Sequence, residues 1–235
     1  MFMKLTLVGL PLGNIEDISL RAIETISQAS LVICEDTRRF NKLYKKLQNL
    51  GYIEHDFSEE FAVLTDYQKQ HKIDQVIEKI QTVGEALLVS DAGLPTISDP
   101  GYKLINTFLE QSGELDIVPG PTAAFSSLAI SGFSSDRVLF VGFLPKKTSK
   151  RELVFSSAKK LSQNLSHTLI IYESPYRLKS TIDDLKDNFP PDTQIVVVRE
   201  LTKKHQQVIR STLQDIQNQL PDKIKGEVTV LVRVS

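Results

Sequence analysis

The chain has 235 residues, a length that fits one large domain or two small ones. Charged residues make up 24% and the formal net charge is −1, so no whole-molecule field attracts nucleic acid, and any RNA partner has to be held by local basic patches. The longest purely apolar stretch is a handful of residues around 138–144, far short of the ~20 needed to cross a bilayer, so no membrane partner is expected. The single cysteine, Cys34, excludes an intramolecular disulfide and suits a reducing compartment, which points to the cytoplasm. The four histidines show no metal-ligand spacing, and no metal is expected.

Apolar runs and helical patterns alternate from the start. Residues 1–9 superficially resemble a signal sequence, but they lack a cleavage pattern and run straight into Pro11, Gly13 and Asn14. They read as a first strand over 4–9. Leu20, Ile23 and Ile26 mark a helix over 19–27, followed by a strand over 31–35 and a basic helix through Leu43, Leu47 and Leu50. A weak strand at 62–64 precedes a helix carrying Ile73, Ile77 and Ile80. A strand at 86–89, a helix at 102–109 and a strand at 115–118 complete the series. This alternation predicts a parallel sheet with crossover helices.

After Pro119-Gly120-Pro121 the character changes. A helix over 122–130 is followed by strands at 138–143, 168–172, 195–198, 207–211 and 228–234. Several are joined by turns, which predicts a mixed, partly antiparallel sheet. The domain boundary is expected near 118, giving an N-terminal α/β domain of residues 1–118 and a C-terminal α/β domain of residues 119–235.

Six segments carry chemistry. Gly9-Leu10-Pro11-Leu12-Gly13-Asn14 joins a strand to a helix, and its glycines let backbone approach a ligand. It is neither G-x-G-x-x-G nor a P-loop. Glu35-Asp36-Thr37-Arg38-Arg39 ends a strand, as an N-cap with solvated arginines or as an anion- and proton-handling cluster. Asp91-Ala92-Gly93-Leu94-Pro95 and Pro119-Gly120-Pro121-Thr122 follow two further strands. Such loops sit where open α/β sheets bind ligands, although Pro119 and Pro121 also suit an interdomain stiffener. Tyr172-Glu173-Ser174-Pro175-Tyr176-Arg177 and Arg199-Glu200-Leu201-Thr202-Lys203-Lys204 each place a carboxylate beside cations after an apolar run. Two basic stretches, Arg38-Arg39 to Lys45-Lys46 and Lys146-Lys147 to Lys150-Arg151, could contact phosphates or be solvated faces.

These motifs occur in order from residue 4 to Val232, and together with Ser98-Asp99-Pro100-Gly101-Tyr102 and Gly142-Phe143-Leu144-Pro145 they closely resemble the ribosomal RNA small subunit methyltransferase I family of the tetrapyrrole methylase superfamily. The resemblance implies two α/β domains with S-adenosylmethionine in the cleft between them, and a homodimer. It implies methylation of the ribose 2′-hydroxyl of a cytidine in the decoding region of small-subunit (16S) rRNA. It places cofactor contacts on Pro11, Leu12 and Gly13, on Asp91, Ala92, Gly93 and Leu94, on Gly120, Pro121, Thr122 and Ala123, and on Tyr172 and Leu201.

Methyl transfer from a sulfonium is an in-line displacement that needs positioning and a late proton acceptor. Glu35, Asp36, Glu173 and Glu200 form the pool for that acceptor, and Arg38, Arg177 and Lys203 would hold phosphate or a nucleobase edge. Three departures from the family stand out. Tyr176 replaces an expected His, Val141 replaces a commonly acidic residue, and the sequence stops at Ser235 without the helical segment many members carry, so RNA contacts made there would be absent or replaced. Two alternatives remain open: methyl transfer to a tetrapyrrole or other small molecule, and a non-catalytic ribosome-binding protein that keeps only the cleft.

Overall fold

The computed structural model describes residues 2–57, 60–65 and 68–235. It separates into two compact units, Met1–Thr122 and Ala123–Ser235, dividing a few residues beyond the position read from the sequence.

The first unit alternates β1 (Lys4–Val8), α1 (Leu20–Ser27), β2 (Leu31–Cys34), α2 (Thr37–Asn49), β3 (Glu60–Val63), α3 (Gln70–Val83), β4 (Glu85–Leu88), α4 (Tyr102–Glu110) and β5 (Glu114–Val118). Its five strands lie in the order β3-β2-β4-β1-β5, and every pairing is parallel. Parallel strands need crossover helices, which cover both sheet faces and force apolar side chains onto each. β2 shows this: Val32 and Cys34 pack with Ile26 of α1 and Phe40 of α2, while Leu31 and Ile33 pack with Ile77 of α3 and Phe108 of α4. The helix starts are set locally. Ser19 Oγ accepts from the Ala22 N–H at 3.1 Å, and Asp36 Oδ1 accepts from the Arg38 N–H at 2.9 Å.

The chain leaves β1 through α1 towards β2, and leaves β4 through α4 past β1 to β5. Because crossovers are right-handed, those two helices lie on opposite faces. Neighbouring strands whose connections depart to opposite faces open a crevice at their carboxyl ends. That switch point lies between β1 and β4.

The second unit holds α5 (Ala123–Ser131), β6 (Val138–Phe143), α6 (Thr148–Ser162), β7 (His167–Glu173), α7 (Leu178–Asn188), β8 (Gln194–Arg199), β9 (Gln207–Thr212), α8 (Ile216–Gln219) and β10 (Val228–Val234). The strand order is β6-β7-β10-β8-β9, with β6 parallel to β7 and the other pairs antiparallel, which is the expected mixed sheet. Alternation divides the strands cleanly. Ile170, Val196, Val198 and Leu231 face α5, whereas Ile171, Val197, Val230 and Val232 pack with Phe155 of α6 and Ile182 of α7. Each such fully buried aliphatic side chain contributes roughly 1.5–3 kcal/mol.

Candidate active site

Three loops close together over the carboxyl ends of β1, β4 and β5. Leu10 and Gly93 exchange backbone hydrogen bonds, Leu10 N–H to Gly93 O at 2.8 Å and Gly93 N–H to Leu10 O at 3.0 Å. A Cβ built on Gly9 would lie 2.6 Å from Gly120 Cα, and one on Gly120 would lie 2.8 Å from Gly9 Cα. The loops therefore touch backbone to backbone, which only glycine permits. Gly93 has φ +76°, and its Cβ would meet Leu12 Cδ2 at 3.1 Å and the Pro121 carbonyl at 3.3 Å. Thus Leu12, Gly93, Gly120 and Pro121, far apart in sequence, are one packed assembly. The lack of a side chain at Gly120 accommodates the backbone of Gly9. Ser90 Oγ donates to the Ala92 and Gly93 carbonyls at 3.1 and 3.3 Å and fixes the turn that carries Asp91.

The acidic cluster at the end of β2 lies beside this assembly. Asp91 Oδ2 sits 3.2 Å from Arg39 Nη1 on α2. Buried Cys34 feels the same carboxylates: burial first, then Asp91, Asp36 and Glu35, push its thiol up to about 12. It is a packed thiol, not a nucleophile. Asp36 caps α2 and also holds the Arg38 guanidinium through contacts of 3.0 and 2.8 Å. The Arg38 side-chain bond, then its backbone N–H, draw Asp36 down to about 2. A carboxyl so acidic is a weak proton acceptor.

In the second unit Val228 pairs with Glu173 on one side and Arg199 on the other. The two acid–base clusters of that unit therefore flank the start of β10. Glu173, with a fully buried side chain, accepts from the Ser174 N–H at 2.7 Å, Thr181 Oγ1 at 2.6 Å and Arg177 Nε at 2.8 Å. Arg177 also donates to the Leu144 carbonyl at 3.1 Å. Across β10, Lys203 Nζ bridges Glu200 at 3.0 Å and Glu227 at 2.9 Å, and the Glu227 N–H donates to Glu200 at 3.1 Å. Burial pushes the Glu200 carboxyl up, but the bonds from Lys203 and the Glu227 N–H outweigh it and hold the group below its usual range. Burial lowers Lys203, and its bonds to Glu227 and Glu200 carry it above.

Three expected cofactor contacts of this unit gather around the start of α5. The Ala124 N–H, next to Ala123, donates to the Tyr172 hydroxyl at 2.9 Å, and Leu201 packs into the same cluster as Tyr172. The Tyr172 ring meets Phe140 and Phe143 edge-on at 5.0 and 5.7 Å. The basic stretch ending at Arg151 is not a phosphate surface throughout. Arg151 is buried and binds Asp184 at 2.6 Å and the Lys146 carbonyl at 2.8 Å, so it ties α6 to α7 and cannot serve phosphate. Thr181 and Glu227, partners of Glu173 and Lys203, carry no signal in the sequence because each is one of several polar residues in its helix or turn pattern. Among the described residues no cluster of His, Cys, Asp and Glu has metal-binding geometry, and no helix is long and apolar enough to cross a membrane.

The family model of the tetrapyrrole (corrin/porphyrin) methylases matches residues 4–217. The chain is 34% identical to the ribosomal RNA small subunit methyltransferase I of Thermotoga maritima over 230 residues, covering 97% of both chains. It is 35% identical to the protein of the same name from a Hydrogenobaculum species, covering 98% of this chain and 95% of that one. Its fold is shared with the uroporphyrin-III C-methyltransferase of Thermus thermophilus complexed with S-adenyl homocysteine, at a TM-score of 0.64 and 15% identity over 97% of this chain and 96% of that one. The ordered motifs, the two sheets and the near-full-length identity agree, and the chain belongs to the tetrapyrrole methylases and, within them, to the ribosomal RNA small subunit methyltransferase I family.

Proposed function

We propose that this protein uses S-adenosylmethionine to methylate small-subunit rRNA, at the ribose 2′-hydroxyl of a cytidine in the decoding region. The observation that supports it most is near-full-length identity of 34–35% to ribosomal RNA small subunit methyltransferases I. The loops of the first unit fit such a cofactor. Their glycine contacts leave backbone rather than side chains at the crevice, and Asp91 offers a carboxylate that hydroxyl or ammonium groups can reach. Asp91, the peptide groups of Ala92, Gly93 and Leu94, and the Pro11-Leu12-Gly13 and Gly120-Pro121-Thr122 segments would hold it. When bound, the cofactor supplies a methyl group on a sulfonium.

The chain's own task is to orient the ribose and take up its proton. The acceptor belongs to the pool of Glu35, which follows β2 directly, Asp36, which caps α2, Glu173, which accepts from Arg177 and Thr181, and Glu200, which accepts from Lys203.

The test supplies the purified protein with methyl-labelled S-adenosylmethionine and small ribosomal subunits lacking the modification, then digests the rRNA to nucleosides. Label in 2′-O-methylcytidine at a single decoding-region position is expected. Label on a base, or none in rRNA, overturns the reading. Among amide variants of these four acids, that of the acceptor should cut single-turnover transfer by on the order of 10²–10⁴ with cofactor affinity kept. Rate losses that in every variant merely track a lower Tm remove a dedicated acceptor from this set.

A further inference from the structure

We propose that a groove in the second unit, between the start of α7 and the segment preceding β10, binds a single-stranded stretch of RNA by stacking one nucleobase on Tyr176 and holding the flanking phosphates with Lys179, Lys223 and Lys225. The groove encloses about 550 Å³ and is lined by these residues together with Pro175, Asp222, Ile224 and Gly226. Tyr176 is 94% exposed, an unusual cost for a ring that burial would stabilise. Its backbone is nevertheless fixed, because the Tyr176 N–H donates to Ser174 Oγ at 3.3 Å and the next residue, Arg177, is anchored on buried Glu173. A ring displayed to solvent from a rigid turn is a preorganised stacking platform, and a nucleobase face is the partner it suits.

Charge points the same way. Three ammonium groups line the groove against the single carboxylate of Asp222, on a chain whose net charge is −1. Among the described residues none of the three ammonium groups forms an ion pair, in contrast to Lys203 a short distance along the same sheet end. A protein segment could satisfy the cations with acids or the ring with apolar side chains. Bases and phosphates alternating along a strand satisfy both at once. The Tyr at position 176, a departure from the family pattern, then acts as a contact residue rather than a lost proton carrier.

This rests on the RNA-methyltransferase reading for the identity of the polymer, and the test separates the two. Binding of a fluorescein-labelled single-stranded oligoribonucleotide to the full chain is followed by anisotropy across a salt series. Tyr176→Ala should weaken binding roughly 5- to 150-fold, and Tyr176→Phe by less than about twofold, since phenylalanine keeps the ring face. The triple variant Lys179→Ala/Lys223→Ala/Lys225→Ala should flatten the log–log salt slope by about 2. Tm and S-adenosylmethionine affinity should hold in all three. The proposal fails if Tyr176→Ala binds like the wild type, if Tyr176→Phe loses as much as Tyr176→Ala, or if the triple variant keeps the full slope. It also fails if these variants lose affinity only for protein-containing subunits, which would identify a protein partner. Absence of methyl transfer to rRNA, with these binding losses intact, would overturn the enzymatic reading and leave the groove assignment standing.

Discussion

At the end of the first sheet Gly9 and Gly120 meet backbone to backbone and Gly93 is hydrogen-bonded to Leu10, whereas at the end of the second sheet Glu173 and Glu200 are wrapped by Arg177, Thr181, Lys203 and Glu227. One sheet end is shaped by the absence of side chains, the other by charged side chains that satisfy one another. Each end therefore tolerates a different kind of change. Added atoms should break the first, and removed charges should break the second.

The largest effect is expected from adding atoms to the first. Gly120→Val drives a Cβ to within 3.0 Å of three Gly9 backbone atoms, which cannot rotate away as a side-chain tip would. We expect a loss on the order of 3 kcal/mol, at the top of the overpacking range, with cofactor binding lost as a consequence. Urea denaturation read beside calorimetry with S-adenosylmethionine decides it. A fully stable Gly120→Val protein with binding lost would mean that the position faces the cofactor rather than Gly9.

Next comes removal of a charge from the second. Glu173→Gln leaves Arg177 without its carboxylate and keeps the shape, so the cost is that of a broken ion pair. Arg177 is 30% exposed and can recover some hydration, which puts the expected cost at roughly 2–4 kcal/mol, or a Tm lower by about 5–10 °C. Adding Arg177→Met should restore part of it, because the stranded cation is then gone. A double variant that is worse than the single one would show that Arg177 matters mainly through its bond to the Leu144 carbonyl.

The two sheet ends were not equally legible from sequence, for the same physical reason. Strands buried on both faces read as unbroken apolar runs, so β2 and β4 declare themselves, and Gly–Pro punctuation marks the loops after them. Helix α6 does not. Its buried residues include Arg151, paired with Asp184, and nothing in the spacing around Phe155 and Ala158 marks an apolar face. The candidate acids were visible as residue types, but whether a carboxylate is spent or available depends on partners brought in by the fold. Thr181 lies eight residues beyond Glu173, inside the next helix, and Glu227 lies on the far side of β9 from Glu200 in sequence. Likewise Gly120 was legible as a glycine that must be a glycine, but not as the neighbour of Gly9.

A smaller effect is expected at Tyr172, which joins an uncharged hydrogen bond to ring packing. Tyr172→Phe removes the acceptor of the Ala124 N–H at the start of α5 and keeps the edge-on contacts with Phe140 and Phe143. Loss of about 0.5–1.5 kcal/mol is expected from urea midpoints. Tyr172→Leu should cost more, since the aromatic contacts go as well. Equal losses in the two variants would place the whole contribution in the hydroxyl.

The smallest expected effect concerns Asp36, the exposed ion pair that sits beside the backbone-built end of the first sheet. Its carboxyl is drawn from 3.8 down to about 2, first by the Arg38 guanidinium and then by the Arg38 N–H at the start of α2. The folded state therefore prefers the carboxylate. The contribution is complete above about pH 4 and is lost as pH falls through about 2, because protonation removes both the ion pair and the charge at the helix start. Exposure to solvent keeps it small. Asp36→Asn retains a capping oxygen but carries no charge, so its stability should not follow that titration. Urea midpoints of the two proteins should differ most above pH 4 and converge towards pH 2, and 1 M salt should narrow the gap by screening the pair. Parallel curves across that range would mean that Asp36 acts through its capping oxygen alone. The charge beside Arg38 would then belong with the solvated arginines of α2, and the contrast between the two sheet ends would hold without exception.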